Sequence, residues 1–446
     1  MKRSLLCMTA ALLLCGAAFA QTNPWGNDPD SHAQPSNTPI VASVTVDDEA
    51  VTVTGDMRLG AFVGDELRGI AAPHTDGKFW IQVFYTAATD NITFKFYDGT
   101  DEYATCATTL AGSDEGYGTP STPEALNFTS TQTQSTDLVS GWNWWSTNIE
   151  MEDNNGLQQL ENGLGTSCVK IKSRTDGNIE PLNMGGTIMW LGQLSAIHNE
   201  QMYMIQTNTA CELNITGQRA SASEHEITIN NGWNWIGYLN NQSQSIASAL
   251  GDFVPANGDK IKGREGSAEY LAVLNMWLGS LTTLDAGQGY MYYSNSSEPK
   301  TLVYQSNRQQ EGNSSYNDSN STCYYQPNSS QYAMNMTITA IVDLNGDELR
   351  SENYELAAFA GNECRGSVKL KYVEPLDRYI AFLLVFGDKE ESLHFVLTDG
   401  MDESWSKDHL MYMDNSIIGS LTEPVVLHFS PLALEDNIVV VNVYPN

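Results

Sequence analysis

Two families of internal repeat, one nested inside the other, constrain this chain more than any other feature. The outer pair is Ala61-Phe62-Val63-Gly64-Asp65-Glu66-Leu67-Arg68-Gly69 and Ala358-Phe359-Ala360-Gly361-Asn362-Glu363-Cys364-Arg365-Gly366. Farther along, Ile92, Phe94, Phe96 and Asp98-Gly99 match Leu393, Phe395, Leu397 and Asp399-Gly400. The inner pair is rich in tryptophan. Gly141-Trp142-Asn143-Trp144-Trp145 matches Gly232-Trp233-Asn234-Trp235-Ile236, and Lys170-Ile171-Lys172 matches Lys260-Ile261-Lys262. Met189-Trp190-Leu191-Gly192 then matches Met276-Trp277-Leu278-Gly279, and Tyr203-Met204 matches Tyr290-Met291.

In the outer modules, Phe79, Ile81, Val83 and Tyr85 alternate, as do Ile380, Phe382, Leu384 and Phe386. Alternation at period two places each set on one face of a strand, taken here as the core face. On that alignment Ala381 is the counterpart of Trp80. Asn345-Gly346 and the Gly-Asp and Asp-Gly pairs supply tight hairpin turns. Short strands without a long helix predict antiparallel, immunoglobulin-like β-sandwiches over 39–130 and 334–430. The inner units, 137–223 and 227–304, read as β-repeats with one short helix each, at Leu157–Asn162 and Ser245–Phe253. The expected fold is therefore mainly β and multi-domain, with two sandwiches flanking two Trp-rich β-repeats. Residues 21–38, and the Asn- and Ser-rich run 305–333, read as linkers.

The ends read as addresses. Lys2 and Arg3, the apolar run Leu5–Ala18 and the small-x-small site Ala18-Phe19-Ala20 predict a secretory signal over 1–20, cleaved before Gln21. No later apolar run is long enough to predict a transmembrane segment. Among 446 residues, 22 Lys+Arg against 54 Asp+Glu give a net charge of −32. Such a surface excludes nucleic acid and anionic membrane as partners, because both need a basic face. It is compatible with a soluble exterior.

The chain stops at Val443-Tyr444-Pro445-Asn446, just after the apolar run Ile438-Val439-Val440-Val441. This resembles the opening of the C-terminal sorting domain of type IX secretion substrates in Bacteroidetes, which begins with Val-Tyr-Pro-Asn-Pro. The match implies a chain truncated inside that motif, with 431–446 leading into a missing sorting domain. The whole layout resembles exported multi-domain proteins of that group, in which Gly-Trp-Asn-Trp repeats accompany Ala-Phe-x-Gly-x-Glu-x-Arg-Gly modules. The resemblance implies secretion or display at the outer membrane, with the type IX machinery as a partner. It implies no activity.

Five cysteines follow the signal: Cys106, Cys168, Cys211, Cys323 and Cys364. Cys168 and Cys211 both lie in the first Trp-rich copy and both lack a counterpart in the second, which predicts a mutual disulfide. Cys323 is within reach of Cys364. No zinc-type Cys-x-x-Cys, His-Glu-x-x-His, Gly-x-Ser-x-Gly or phosphate-cradling loop is present. Asp343, Asn345 and Asp347 are a candidate calcium loop, against a plain hairpin turn. Repeated Glu-x-Arg spacing makes Arg68 and Arg365 candidate ligand contacts, against local ion pairs. Most tryptophans read as core, because their strands are apolar on both faces. Trp80 and Trp145, unmatched between copies, are the candidate aromatic platforms.

These readings predict a non-enzymatic exported binding protein or adhesin for a glycan or host protein. A structural stalk or surface-layer component is the alternative. A hydrolase with a dispersed site is a third.

Overall fold

The computed structural model describes residues 23–26, 29, 34–100, 102–151, 155–222, 224–305 and 323–430. The expected signal and the sorting motif fall outside them. The described chain is mainly β, as expected, and it forms two compact units, residues 1–131 and 132–446. No helix among the described residues is long and apolar enough to cross a membrane.

The first unit is a two-layered sandwich. Strand Ser36–Val46 lies between Phe79–Tyr85 and Glu124–Thr129, pairing antiparallel with the former and parallel with the latter. The other layer sets Arg58–Val63 between Glu66–Ala71 and Asn91–Tyr97. Phe79, Ile81 and Val83 meet Phe94, Phe96, Leu126 and Phe128 in the core between the layers. Asp47 and Asp48, both at positive φ, turn Ser36–Val46 into its hairpin. Asn and Asp tolerate that backbone region better than other non-glycine residues.

The second unit holds both Trp-rich repeats and the second sandwich. The five-stranded sheet of the first repeat runs Gly141–Trp145, Tyr203–Thr207, Cys168–Lys172, Asn178–Met184, Thr187–Gly192. The second repeats that order with Gly232–Ile236, Tyr290–Ser294, Lys260–Lys262, Ser267–Leu271, Met276–Gly279. Helices Asn155–Leu164 and Ile246–Leu250 are the expected short helices. Ser245 caps the latter, its hydroxyl accepting from the Ser248 amide.

The Gly-Trp-Asn-Trp motif now has a local cause. Gly141 and Gly232 sit at positive φ, which glycine adopts without a Cβ clash. One turn later the Asn side chain closes the loop. Asn143 accepts from the Val139 amide and donates to the Val139 and Gly141 carbonyls. Asn234 makes the same three contacts with Asn230 and Gly232. The amide thus pairs with the backbone groups of the turn and holds its shape, as Asn side chains do in turns.

The second sandwich matches the first. Strand Met334–Leu344 pairs with Arg378–Gly387 and, in parallel, with Val425–Phe429. Its hairpin is Asn345-Gly346, again both at positive φ. One expectation about its faces is corrected. The core set of Arg378–Gly387 is Ala381, Leu383 and Val385, while Ile380 and Phe382 join a different apolar cluster with Leu271, Ile341, Val373 and Leu421. Both faces of this strand are covered, so apolar alternation could not reveal which one faces its own core. Phe382, not Ala381, therefore occupies the place of Trp80. The pairings Thr339↔Phe382 and Val41↔Trp80 agree.

The linker boundaries also shorten. Trp25 packs edge-on against Phe62, 5.7 Å between centroids, and its indole donates to Glu102 Oε2 at 2.7 Å. Tyr325 packs edge-on against Phe359 at 5.0 Å and donates to Glu403. Glu403 pairs with Thr398 as Glu102 pairs with Tyr97. The segment preceding each sandwich thus pins one aromatic to the same outer phenylalanine.

His225 ties the repeats together. Its Nδ1 lies 2.6 Å from Glu200 Oε1 and its Nε2 2.8 Å from Glu150 Oε2. The Glu150 and Glu200 hydrogen bonds raise its pKa from 6.5 to about 10. A base with a raised folded pKa stabilises fully below its unfolded value, and that stability is lost as pH rises through the folded one. His225 should therefore contribute stability that is intact below about pH 6.5 and declines towards pH 10. His225→Ala should cost about 1–2 kcal/mol at pH 6 and little at pH 10.5. Denaturant titrations of both chains across that range check it.

Candidate functional site

The candidate residues from sequence land in different environments. Trp145 is 0% exposed, in the first repeat's core with Ile171, Tyr203, Ile205 and Leu213. It cannot touch a ligand; as a ligand platform it is a correction. Its strand is apolar on both faces, and each face is covered. Trp80 is 46% exposed. Its ring lies 4.7 Å from His74, tilted by 31°, and its indole donates to Asp76 Oδ2 at 3.3 Å.

Both repeated arginines form local ion pairs. Arg68 Nη2 lies 3.0 Å from Glu66 Oε2. Arg365 is buried, 3.4 Å from Glu363 and 2.9 Å from Glu391, with its guanidinium 4.4 Å from the Tyr332 ring centroid. Arg365 is consumed by these contacts and offers nothing to a ligand, which corrects its candidacy. The Asp343 carboxylate accepts from the Gly346 amide at 2.7 Å, inside the two-residue hairpin. One candidate calcium ligand is thus engaged in shaping the turn, while Asp347 is exposed on the opposing strand. Among the described residues no group of three or more His, Cys, Asp or Glu is placed to hold a metal.

Cys168 and Cys211 share the first repeat's core but are thiols. The expected bond between them is not formed in this structure. Burial pushes Cys168 up to about 12, and neighbouring Cys211 adds to the shift. Burial likewise raises Cys364 to about 11, with Cys323 nearby. Thiols held this far above neutrality are poor nucleophiles.

The second unit also carries two clefts that the sequence did not announce. One, of about 660 Å³, opens between the repeats and is strongly polar; Asp137, Trp142, Glu265, Asp285 and Gln288 line it. The other, about 530 Å³, lies between the second repeat and the second sandwich. Trp277, Leu278, Val373 and Phe382 line it with apolar surface, and Asn275, Thr282, Lys371, Tyr372 and Glu374 add polar groups. Tyr372 is exposed and packs against Tyr379, 5.0 Å between centroids. The Met276–Gly279 and Lys371–Val373 strands both border it, and Leu278 and Val373 belong to the apolar cluster at its base. Its size and its mix of apolar walls and few polar groups suit a small ligand. Trp277 was readable as a repeated tryptophan, but its access to a cleft depends on a sandwich a hundred residues away in sequence.

No family model and no curated protein matches the chain. Among solved structures, the major pilin subunit BcpA of Bacillus cereus is similar over 89% of this chain and 99% of that one, at 8% identity and a TM-score of 0.18. An engineered form of the same pilin is similar over the same shares, with 8% identity and a TM-score of 0.15. At that level of superposition the likeness transfers neither fold nor function.

Proposed function

We propose that this chain is an exported, non-enzymatic binding protein of the bacterial cell surface, and that its ligand is a glycan. The carrying observation is the cleft with Trp277 and Tyr372 on its wall and Asn275, Thr282, Lys371 and Glu374 around it. Aromatic rings cover the apolar face of a sugar, and amide, hydroxyl and charged groups orient its hydroxyls. Export rests on the signal over 1–20. Passage through the type IX machinery rests on Val443-Tyr444-Pro445-Asn446.

The test is a glycan array, followed by calorimetry on any hit. Tyr372→Ala removes an exposed ring at the cleft and should weaken a hit about tenfold or more. The same change should leave the melting temperature within about 2 °C, since exposed sites rarely affect stability by more than about 0.5 kcal/mol. An array without hits, or affinity untouched by Tyr372→Ala, overturns the reading. The burial of Trp144 and Trp145 favours a second reading, a structural stalk.

A further inference from the structure

Two faces of the duplicated modules are exposed among the described residues, although their twins are covered. In each repeat the Lys-x-Lys strand pairs with a Glu-bearing strand, which pairs with Met-Trp-Leu-Gly. Glu180↔Leu191 and Leu182↔Met189 in the first repeat correspond to Glu269↔Leu278 and Leu271↔Met276 in the second. Lys172, Glu180, Leu182 and Leu191 thus stand where the second repeat has Lys262, Glu269, Leu271 and Leu278.

In the second repeat this face is covered by the second sandwich. Lys262 Nζ donates to the Asn335 carbonyl at 2.8 Å and to Asn415 Oδ1 at 3.0 Å. Glu269 accepts from the Leu421 amide at 3.0 Å. Leu271 and Leu278 pack with Ile380 and Phe382. In the first repeat the same residue types are kept and left open: Leu182 is 45% exposed, Leu191 49%, and Lys172 is exposed. The flanking Met184 and Met189 are exposed as well. A contiguous apolar face of this kind marks an interaction site.

The first sandwich supplies the matching half. Trp80 holds the position of Phe382, and it is 46% exposed where Phe382 is 4%. The parallel bridge Ile40↔Tyr117 corresponds to Ile338↔Ile418. That alignment puts exposed Asp114 at the place of Asn415. A lysine arriving as Lys262 does would meet a carboxylate instead of an amide, so the match gains a charge pair.

We propose that the Leu182–Leu191 face of the first repeat docks on the Trp80 face of the first sandwich of a second copy of this chain, with Lys172 against Asp114. A second copy is the occupant because the tether differs. The second sandwich reaches its repeat through residues 303–333, whereas Ser130 alone separates strand Glu124–Thr129 from Thr131–Leu138. The two faces are different surfaces of one chain, so each copy offers both. Such a heterologous contact propagates head to tail, giving rings or filaments. This assigns Trp80 to a protein contact and makes no use of the Trp277–Tyr372 cleft, so either proposal can fail alone.

Sedimentation velocity on the exported chain, from about 1 to 100 µM, tests it; a contact of this kind should have a dissociation constant in the micromolar range. The expected result is concentration-dependent growth beyond dimer. Trp80→Asp and Leu191→Asp should each weaken it at least about tenfold, as loss of an anchor side chain does. Both sites are exposed, and unchanged far-UV circular dichroism verifies folding. An equimolar mixture of the two variants keeps one intact pair of faces and should stop at the dimer. Carbodiimide crosslinking of mixed 14N and 15N chains should join Lys172 to Asp114 between chains. A monomer at all concentrations, assembly indifferent to both substitutions, or a Lys172–Asp114 crosslink confined to single chains overturns the proposal.

Discussion

Trp145→Ala should lower stability by about 3–5 kcal/mol, the cost of emptying a fully buried tryptophan site. Trp80→Ala should change it by no more than about 0.5 kcal/mol. The two residues looked alike in sequence, each a tryptophan without a tryptophan counterpart. Their burial, 0% against 46%, separates them. Trp145 packs on Tyr203 at 6.3 Å between centroids and fills the first repeat's core beside Leu160 and Leu213. The polar cost of this packing is visible, because the Trp145 indole N–H finds no hydrogen-bond acceptor among the described residues. Trp145→Phe removes that unsatisfied donor with a modest loss of volume. It should therefore cost much less than the alanine change, under about 2 kcal/mol. The second repeat already holds the smaller Ile236 at this place, also fully buried. Thermal denaturation reads the difference. A loss of 3–5 kcal/mol shifts the transition that includes the repeats by roughly 6–20 °C. Because the chain has several cores, that transition must be followed by itself rather than through one global midpoint. Equal, small effects of Trp145→Ala and Trp80→Ala would contradict the core assignment.

Much of the fold was legible because duplication turns one sequence into an alignment of two. The module order, the hairpin turn at Asn345-Gly346, and the mostly β character all follow from local residue chemistry, which acts over a few positions. What escaped was set by contacts distant in sequence. Arg378–Gly387 is apolar at nearly every position, and the alternation that identifies a half-buried strand vanishes once both faces are covered. The second covering layer is the Leu271–Leu278 hairpin, more than a hundred residues away. Trp25 and Tyr325 sit in polar stretches whose composition predicts a linker. Each is nevertheless fixed by one ring contact and one glutamate, a signal too sparse for composition to show. Of the site, the repeated Glu-x-Arg pairs were visible as conserved spacing within the chain. That Arg365 is enclosed by Glu363, Glu391 and Tyr332 depends on the strand register between layers.

Lys262→Ala should cost about 3–5 kcal/mol and loosen the second repeat from the second sandwich. Lys262 is fully buried, with its ammonium 4.5 Å from the Trp233 ring centroid and 5.9 Å from that of Trp144. Trp233 itself donates to the Asn415 carbonyl at 2.8 Å, so the lysine and the indole grip one loop together. Removing the side chain leaves a void between two indoles and strips the Asn335 carbonyl and Asn415 side chain of a donor; breaking one partner of a buried polar set carries a cost of this size. Lys262→Met keeps the aliphatic stem and the packing and should lose about half as much. The pH dependence has a definite sign. Burial pulls the lysine from 10.5 down to about 7. Between those values the unfolded chain binds the proton that the folded chain has released, so folding stability rises with pH through that window. The wild-type chain should gain stability relative to Lys262→Met between pH 7 and 10, opposite to the loss expected at His225. Denaturant midpoints of wild type, Lys262→Met and His225→Ala over that range separate the two groups. A wild-type advantage over Lys262→Met that shrinks as pH rises would mean the ammonium is held charged by its carbonyls and indole faces, against the burial argument.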